Sequence, residues 1–276
     1  MSSNLLLIAL LLSGAGHENA ATAEYAGFVG VWRFAAVEVN GAKQPAPPFA
    51  TNKLIISPGG RYVIVQGPRI TRGVIQLDPT TTPKHYDVTV TNGPAKGLKT
   101  SGVYELAGDT YRLCLPLGGK VRPASVASKP STIFFVFQRE KHDIKDALEA
   151  VGRQELAGRW QAVTYALDGK KATDEQMRKI QLLIDGEGKT TAVNNGKMFI
   201  ASTIKIDPIA EPMTMDLTFT DGAPKGTTSL GIYKIEGGVL TICRAPAKKP
   251  RPTDFSSTPD SGLTLMTYKR EAAATK

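Results

Sequence analysis

The sequence predicts an all-β protein built twice from one unit, each unit a sandwich or an up-and-down barrel of eight short strands. Three observations predict this. The first is an internal duplication. Asp78-Pro79, Asp87, Lys96-Gly97, Gly102, Tyr104, Cys114 and Arg122-Pro123 recur 129 positions later as Asp207-Pro208, Asp216, Lys225-Gly226, Gly231, Tyr233, Cys243 and Arg251-Pro252. A constant offset over so long a stretch marks a repeated structural unit. The second is a string of short apolar runs separated by Gly- and Pro-rich turn signals, the punctuation of an all-β chain. The third is the way each copy opens. Gly30-Val31-Trp32 and Gly158-Arg159-Trp160 each lead into a β-rich run ending at Asn40-Gly41 or Asp168-Gly169, both strong hairpin dipeptides.

Taken in order, residues 5–12 are an apolar run too short to span a bilayer, and Ala21-Thr22-Ala23 fits a signal-peptidase site. Residues 1–23 are therefore expected to be a signal peptide and the protein to be exported, to a periplasm or beyond. No later segment has the length and apolarity of a transmembrane helix. After the opening strand, strands are expected at about 53–57, 61–66, 70–78, 85–91, 100–107, 109–115 and 132–139. The second copy matches them at about 179–185, 188–193, 197–207, 213–220, 228–236, 238–244 and 262–269. Helix is scarce. Residues 143–152 have helix-forming composition and end in Gly152, which predicts a short connecting helix, and residues 173–179 have the start of one further turn. The resulting organisation is a first repeat over 24–140, a linker helix over 141–154 and a second repeat over 155–271.

Composition narrows the functional classes. The net charge is +9, which favours anionic partners through long-range attraction. The Lys and Arg residues are dispersed, however, and the densest group, Lys248-Lys249-Pro250-Arg251, has no aromatic ladder beside it. No specific nucleic-acid partner is expected. The two cysteines, Cys114 and Cys243, occupy equivalent places in the two copies, so neither unit can hold an internal disulfide, and buried free thiols are expected. Catalytic constellations are missing. Of three histidines, His17 lies in the leader, His142 in the linker, and His85 aligns with Thr214. That leaves too few for a histidine-based zinc site or a Ser-His-Asp triad in either copy. Gly188-Lys189-Thr190 echoes a phosphate-binding loop but has Leu183 where that motif needs Gly, and Ser229 lacks the preceding Gly of a nucleophile elbow. No catalytic residue, metal or cofactor is expected.

The opening Gly-x-Trp strand, the eight strands and an Arg near the end of the last one, Arg139 or Arg270, together resemble the lipocalin-like (calycin) barrels. The resemblance implies that Trp32 lies beneath Arg139, and Trp160 beneath Arg270, each pair closing one barrel end through a cation–π contact. More narrowly, Asp87, Lys96-Gly97, Tyr104, Leu113-Cys114 and Arg122-Pro123, with their counterparts up to Ile242-Cys243 and Arg251-Pro252, resemble a family of uncharacterised lipocalin-like repeats abundant in planctomycete bacteria. That family implies a fold and no established activity. The fold class becomes two tandem eight-stranded antiparallel lipocalin-like barrels with a short connecting helix.

The duplicated polar set is the candidate ligand-binding set: Asp87, Lys96, Tyr104 and Arg122, with Asp216, Lys225, Tyr233 and Arg251. Two readings stand side by side. Asp87, Tyr104 and Arg122 line a cavity mouth and hold a polar ligand group, or Asp87 and Arg122 form an ion pair tying the long loop before the last strand to the wall. Cys114 and Cys243 are expected as small buried residues with no base to activate them. The functional expectation is an exported, non-enzymatic binding protein in which each barrel offers a cavity or open-end loops to a small molecule. The alternative is a module that holds cell-envelope protein or polysaccharide.

Overall fold

The computed structural model describes residues 22–45, 51–93, 95–118 and 121–271. The expected signal peptide, residues 1–23, lies almost wholly outside the described residues. The chain divides into two compact units, residues 1–147 and 148–276, and each is a closed antiparallel barrel.

In the first unit a helix over residues 22–28, α1, precedes β1 (Gly30–Val39). The Asn40-Gly41 turn has both residues at positive φ, 54° and 81°, as a hairpin of that type requires, and leads to the stub β2 (Ala42–Lys43). The wall continues through β3 (Lys53–Ile56), β4 (Arg61–Gln66), β5 (Arg69–Asp78), β6 (Lys84–Val90), β7 (Lys99–Ala107), β8 (Thr110–Pro116) and β9 (Thr132–Glu140). Strand β9 pairs back onto β1, with Trp32 opposite Arg139 and Phe34 opposite Phe137. A bulge between Phe34 and Ala36 bends β1 and helps the sheet to close. Without the β2 stub the ring holds eight strands.

The second unit repeats this plan. Strand β10 (Gly158–Leu167) turns at Asp168-Gly169 into β11 (Lys170–Lys171). The ring runs on through β12 (Ile180–Ile184), β13 (Lys189–Asn194), β14 (Lys197–Asp207), β15 (Met213–Asp221), β16 (Thr228–Glu236), β17 (Val239–Arg244) and β18 (Thr264–Arg270). It closes with Trp160 opposite Arg270 and carries the equivalent bulge between Ala162 and Thr164. Every strand expected from sequence is present, within about two residues at its ends.

Helix α2 (Ile144–Leu156) joins the barrels and runs four residues beyond the expected end at Gly152. Gly152 is not a helix-terminating residue here. A Cβ at that position would come within 2.5 Å of Ile206 Cδ1 and 3.3 Å of Pro208 Cβ, so the glycine lets the helix lie close against the second barrel. Leu148, Val151 and Leu156 are buried. The single turn α3 (Asp174–Met177) begins with a capping box in which Thr173 and Gln176 satisfy each other's backbone N–H groups. Among the described residues, no helix is long and apolar enough to cross a membrane.

Candidate functional site

One end of each barrel is shut by the same device. Trp32 Nε1 donates to Phe28 O and Trp160 Nε1 donates to Leu156 O, both at 2.8 Å. The guanidinium of Arg139 lies 4.1 Å from the centre of the Trp32 ring, and that of Arg270 lies 4.0 Å from Trp160. Arg139 Nη1 and Nη2 donate to Val29 O at 2.7 Å and Gly27 O at 2.6 Å. Arg270 does the same to Ala157 O and Glu155 O. Each arginine therefore sits on its indole and gathers carbonyls left free at the end of a helix, α1 or α2. Gly30 and Gly158 open the motif because a Cβ at either place would fall on the arginine Nη1.

The duplicated polar set has a structural role. Arg122 Nη2 donates to both oxygens of Asp87, at 2.9 and 3.0 Å, and Nη1 donates to Gly102 O at 2.6 Å. In the second unit Arg251 Nη1 lies 2.7 Å from Asp216 Oδ1 and donates to Gly231 O at 2.6 Å. The two thiols complete the fastening: Cys114 Sγ donates to Ala127 O and Cys243 Sγ to Ser256 O, both at 3.3 Å. Burial raises both thiol pKa values and keeps the donor proton in place. Both cysteines are free and buried. Arginine and cysteine thus pin the long loop before the last strand to the barrel wall. Lys96 and Lys225 are exposed in turns whose shape is set by the next residue, Gly97 or Gly226, at φ of 89° and 82°.

The expected cluster of Asp87, Tyr104 and Arg122 at a cavity mouth does not exist. Register places Tyr86 opposite Gly102, Lys84 opposite Tyr104, and Asp87 opposite Ser101. Strand alternation then turns Tyr86 and Tyr104 into the core and Asp87 out of it. Tyr104 reaches toward α1, where its hydroxyl donates to Glu24 Oε1 at 3.0 Å, beside Lys84 Nζ at 2.7 Å from the same oxygen. Burial, then the Glu24 carboxylate, raises the Tyr104 pKa far above its ordinary value. Tyr233 is likewise a core residue of the second barrel.

The two interiors differ. Rings fill the first. Phe28 meets Tyr104 and Tyr111 edge-on at 5.1 and 4.8 Å, Phe34 meets Phe137 at 4.8 Å, and Tyr111 stacks on Phe137 at 4.9 Å. Two hollows on this unit lie among its loops, beside residues 79–84 and 66–69. Matching rows show what the second barrel lacks. The row Ile56–Tyr62–Gly73–Val90 becomes Ile184–Thr190–Ser202–Phe219. Phe34–Phe137–Tyr111 becomes Ala162–Tyr268–Leu240, and Leu54–Ile64 becomes Leu182–Ala192. Phe219 is larger than Val90, but the lost rings of Tyr62, Phe34 and Tyr111 outweigh it.

A cavity of about 590 Å³ results. Its walls include Tyr165, Leu182, Ala192, Phe219, Ile242 and Tyr268, and Gln176, Lys179, Asn194 and Asn195 stand at its rim. Two polar features face it. Thr190 Oγ1 and Ser202 Oγ share a hydrogen bond of 2.5 Å. Arg244, on the inward register of β17 after Leu240 and Ile242, donates from Nη1 to Ser229 Oγ at 3.2 Å and lies 5.4 Å from the centre of the Phe219 ring. Among the described residues no carboxylate lines the cavity or pairs with Arg244. Burial lowers the Arg244 pKa and raises that of Tyr268 to about 12. None of the eight residues expected to bind ligand lines this space. Sequence reasoning weighed the positions that the copies share, whereas the cavity is made where they differ. The available signal was an arginine at position 244, in register with buried Leu240 and Ile242.

Among the described residues no group of three His, Cys, Asp or Glu side chains is placed to hold a metal. No family model matches the chain, and no curated protein matches it. Among solved structures, the chain is similar to a protein of unknown function from the DUF3598 family of Nostoc punctiforme. The identity is 11%, over 90% of this chain and 97% of that one, and the TM-score of 0.22 is too low to inform either fold or site.

Proposed function

We propose that this is an exported, non-enzymatic binding protein whose second barrel holds a small, mostly apolar molecule while the first barrel is a packed structural partner. Export rests on the apolar run at 5–12 and on Ala21-Thr22-Ala23. The observation that carries the binding reading is the contrast between two barrels of one design, one filled by rings and one enclosing about 590 Å³. That volume, with mainly apolar walls and a few convergent polar groups, falls in the range of small-molecule sites, roughly 300–1,000 Å³. Keeping such a hollow is costly for a core. A barrel under no demand but stability would have kept the packing that its sister has.

Native mass spectrometry of protein purified from its own host tests this reading. The expected result is a co-purifying small mass that is absent from Ala192→Phe, a substitution that fills the cavity from its wall. A bare polypeptide mass, together with no uptake of any apolar compound on soaking, would overturn it.

A further inference from the structure

The chemistry around Arg244 says more about the ligand. A guanidinium drawn into a barrel interior gives up water, and it recovers that loss fully only against an anion. Here its neighbours are a neutral hydroxyl, Ser229, and the face of Phe219. Other cavity-facing groups are uncharged or, like Lys179 at the rim, cationic. Lys179 itself is held by Glu175 at 2.9 Å, on the outer side of α3. The site therefore carries one positive charge in excess of neutral, and its fork of N–H donors suits a carboxylate or a phosphate oxygen pair.

Register fixes where that charge stands. Strand β17 starts at Val239 opposite Lys269, next to the Trp160–Arg270 closure, and ends at Arg244 opposite Thr264, at the other end of the barrel. Arg244 is thus in the mouth layer. Deeper lie Ile242, Leu240, Leu182 and Tyr268, an apolar floor relieved by the Thr190–Ser202 pair, whose hydroxyls share one hydrogen bond. At about 30 Å³ per water-sized group, the cavity has room for on the order of 20 non-hydrogen atoms.

We propose that the second barrel takes an anionic amphiphile tail first, with its single oxyanion headgroup seated on Arg244 in the mouth layer and its apolar tail on the floor above Leu182 and Leu240. This rests on the reading of the second barrel as a container. It adds the ligand's charge, its orientation and the residue that selects it.

Calorimetric titration of the full chain tests it, with dodecanoate, dodecyl phosphate, dodecanol and dodecylamine as probes below their micelle concentrations. Dodecanoate or dodecyl phosphate should bind most tightly, and whichever is tighter identifies the headgroup as carboxylate or phosphate. Dodecylamine should bind most weakly. Arg244→Met should weaken the preferred anion by about 10- to 150-fold, the fold-change of one hydrogen bond to a charged group, and leave dodecanol nearly unchanged. Dodecanol binding also reports that the variant is folded. Arg244→Lys, which keeps charge and loses the fork, should fall between. Equal binding of dodecanol and dodecanoate, with no effect of Arg244→Met, would overturn the headgroup assignment and leave the container reading standing. Anion binding lost in Ser202→Ala but kept in Arg244→Met would put the headgroup at the floor and overturn the orientation. Failure of all four probes would count against the container itself.

Discussion

Replacing Gly158 by alanine tests the closed-end device with a single methyl group. The Cβ would stand 2.7 Å from Arg270 Nη1, at a residue whose φ is +136°. The struck atom is the tip of a flexible side chain, so Arg270 can swing aside, but only by leaving Ala157 O, Glu155 O and the Trp160 ring. Because this arginine is largely exposed, values at the lower end apply: about 1.5 kcal/mol for each hydrogen bond from a charged donor and about 0.5–1 kcal/mol for the cation–π contact. A positive φ adds about 1 kcal/mol for alanine. The contributions are not additive in detail, and the expected loss is about 3–5 kcal/mol. For a unit of this size that lowers the melting temperature by about 12–20 °C. Gly186→Ala is the control, since nothing lies within 4 Å of a Cβ there, and it should move stability by no more than about 0.5 kcal/mol. Thermal melts followed by circular dichroism and tryptophan fluorescence read both variants. Equal melting temperatures for the two would refute the role given to Arg270.

Three further outcomes are expected. Trp32→Ala should cost the first unit about 3–5 kcal/mol, and Arg139→Lys less than that but more than a surface change, as urea titrations read by circular dichroism will show; no shift of any transition in Trp32→Ala contradicts this. Arg122→Met should free the loop that Cys114 helps to fasten and speed thiol labelling of Cys114 while Cys243 stays slow, with the reverse for Arg251→Met; unchanged labelling rates contradict the clamp. Burial raises Tyr62 and Tyr268 to about 12 and raises Tyr86, Tyr104 and Tyr111 as well, so the folded state prefers neutral phenols that the unfolded chain ionises near 10. That stability is complete below about pH 10 and is lost as pH rises toward about 12, so tyrosinate absorbance should appear together with loss of the sheet signal. Phenols that ionise near 10 with the sheet intact contradict it.

The architecture was legible because it rests on local signals that repeat. Turn dipeptides such as Asn40-Gly41 impose a backbone geometry, and a 129-residue offset ties the two copies together. The pairing of Trp32 with Arg139 was legible only through resemblance, since 107 positions separate the two residues. Gly152 misled because a glycine that ends a helix and one that lets a helix pack closely look the same in sequence. The polar cluster failed for a different reason. Alternation along each strand was read correctly, but joining Asp87 to Tyr104 needed the register between β6 and β7, which sequence does not contain. The cavity was hidden most deeply. A shared position shows what both barrels require to fold, and that is why Arg122 and Cys114 proved to be fasteners. The hollow depends on pairs such as Tyr62 and Thr190, which the 129-residue offset does not align and whose equivalence becomes clear only when the strands are laid in register.

The most direct measurement grafts the first barrel's plug into the second. Tyr62 fills its barrel above Gly73, where a Cβ would strike the tyrosine ring, so the graft needs two changes, Thr190→Tyr with Ser202→Gly. Titration with Nile red, a neutral dye that brightens in apolar surroundings, compares the double variant with the original chain. The original should bind the dye saturably, and the variant should lose that binding while melting at the same temperature or higher. Saturable binding of equal strength in the grafted protein would contradict the claim that the second barrel's interior is the ligand site.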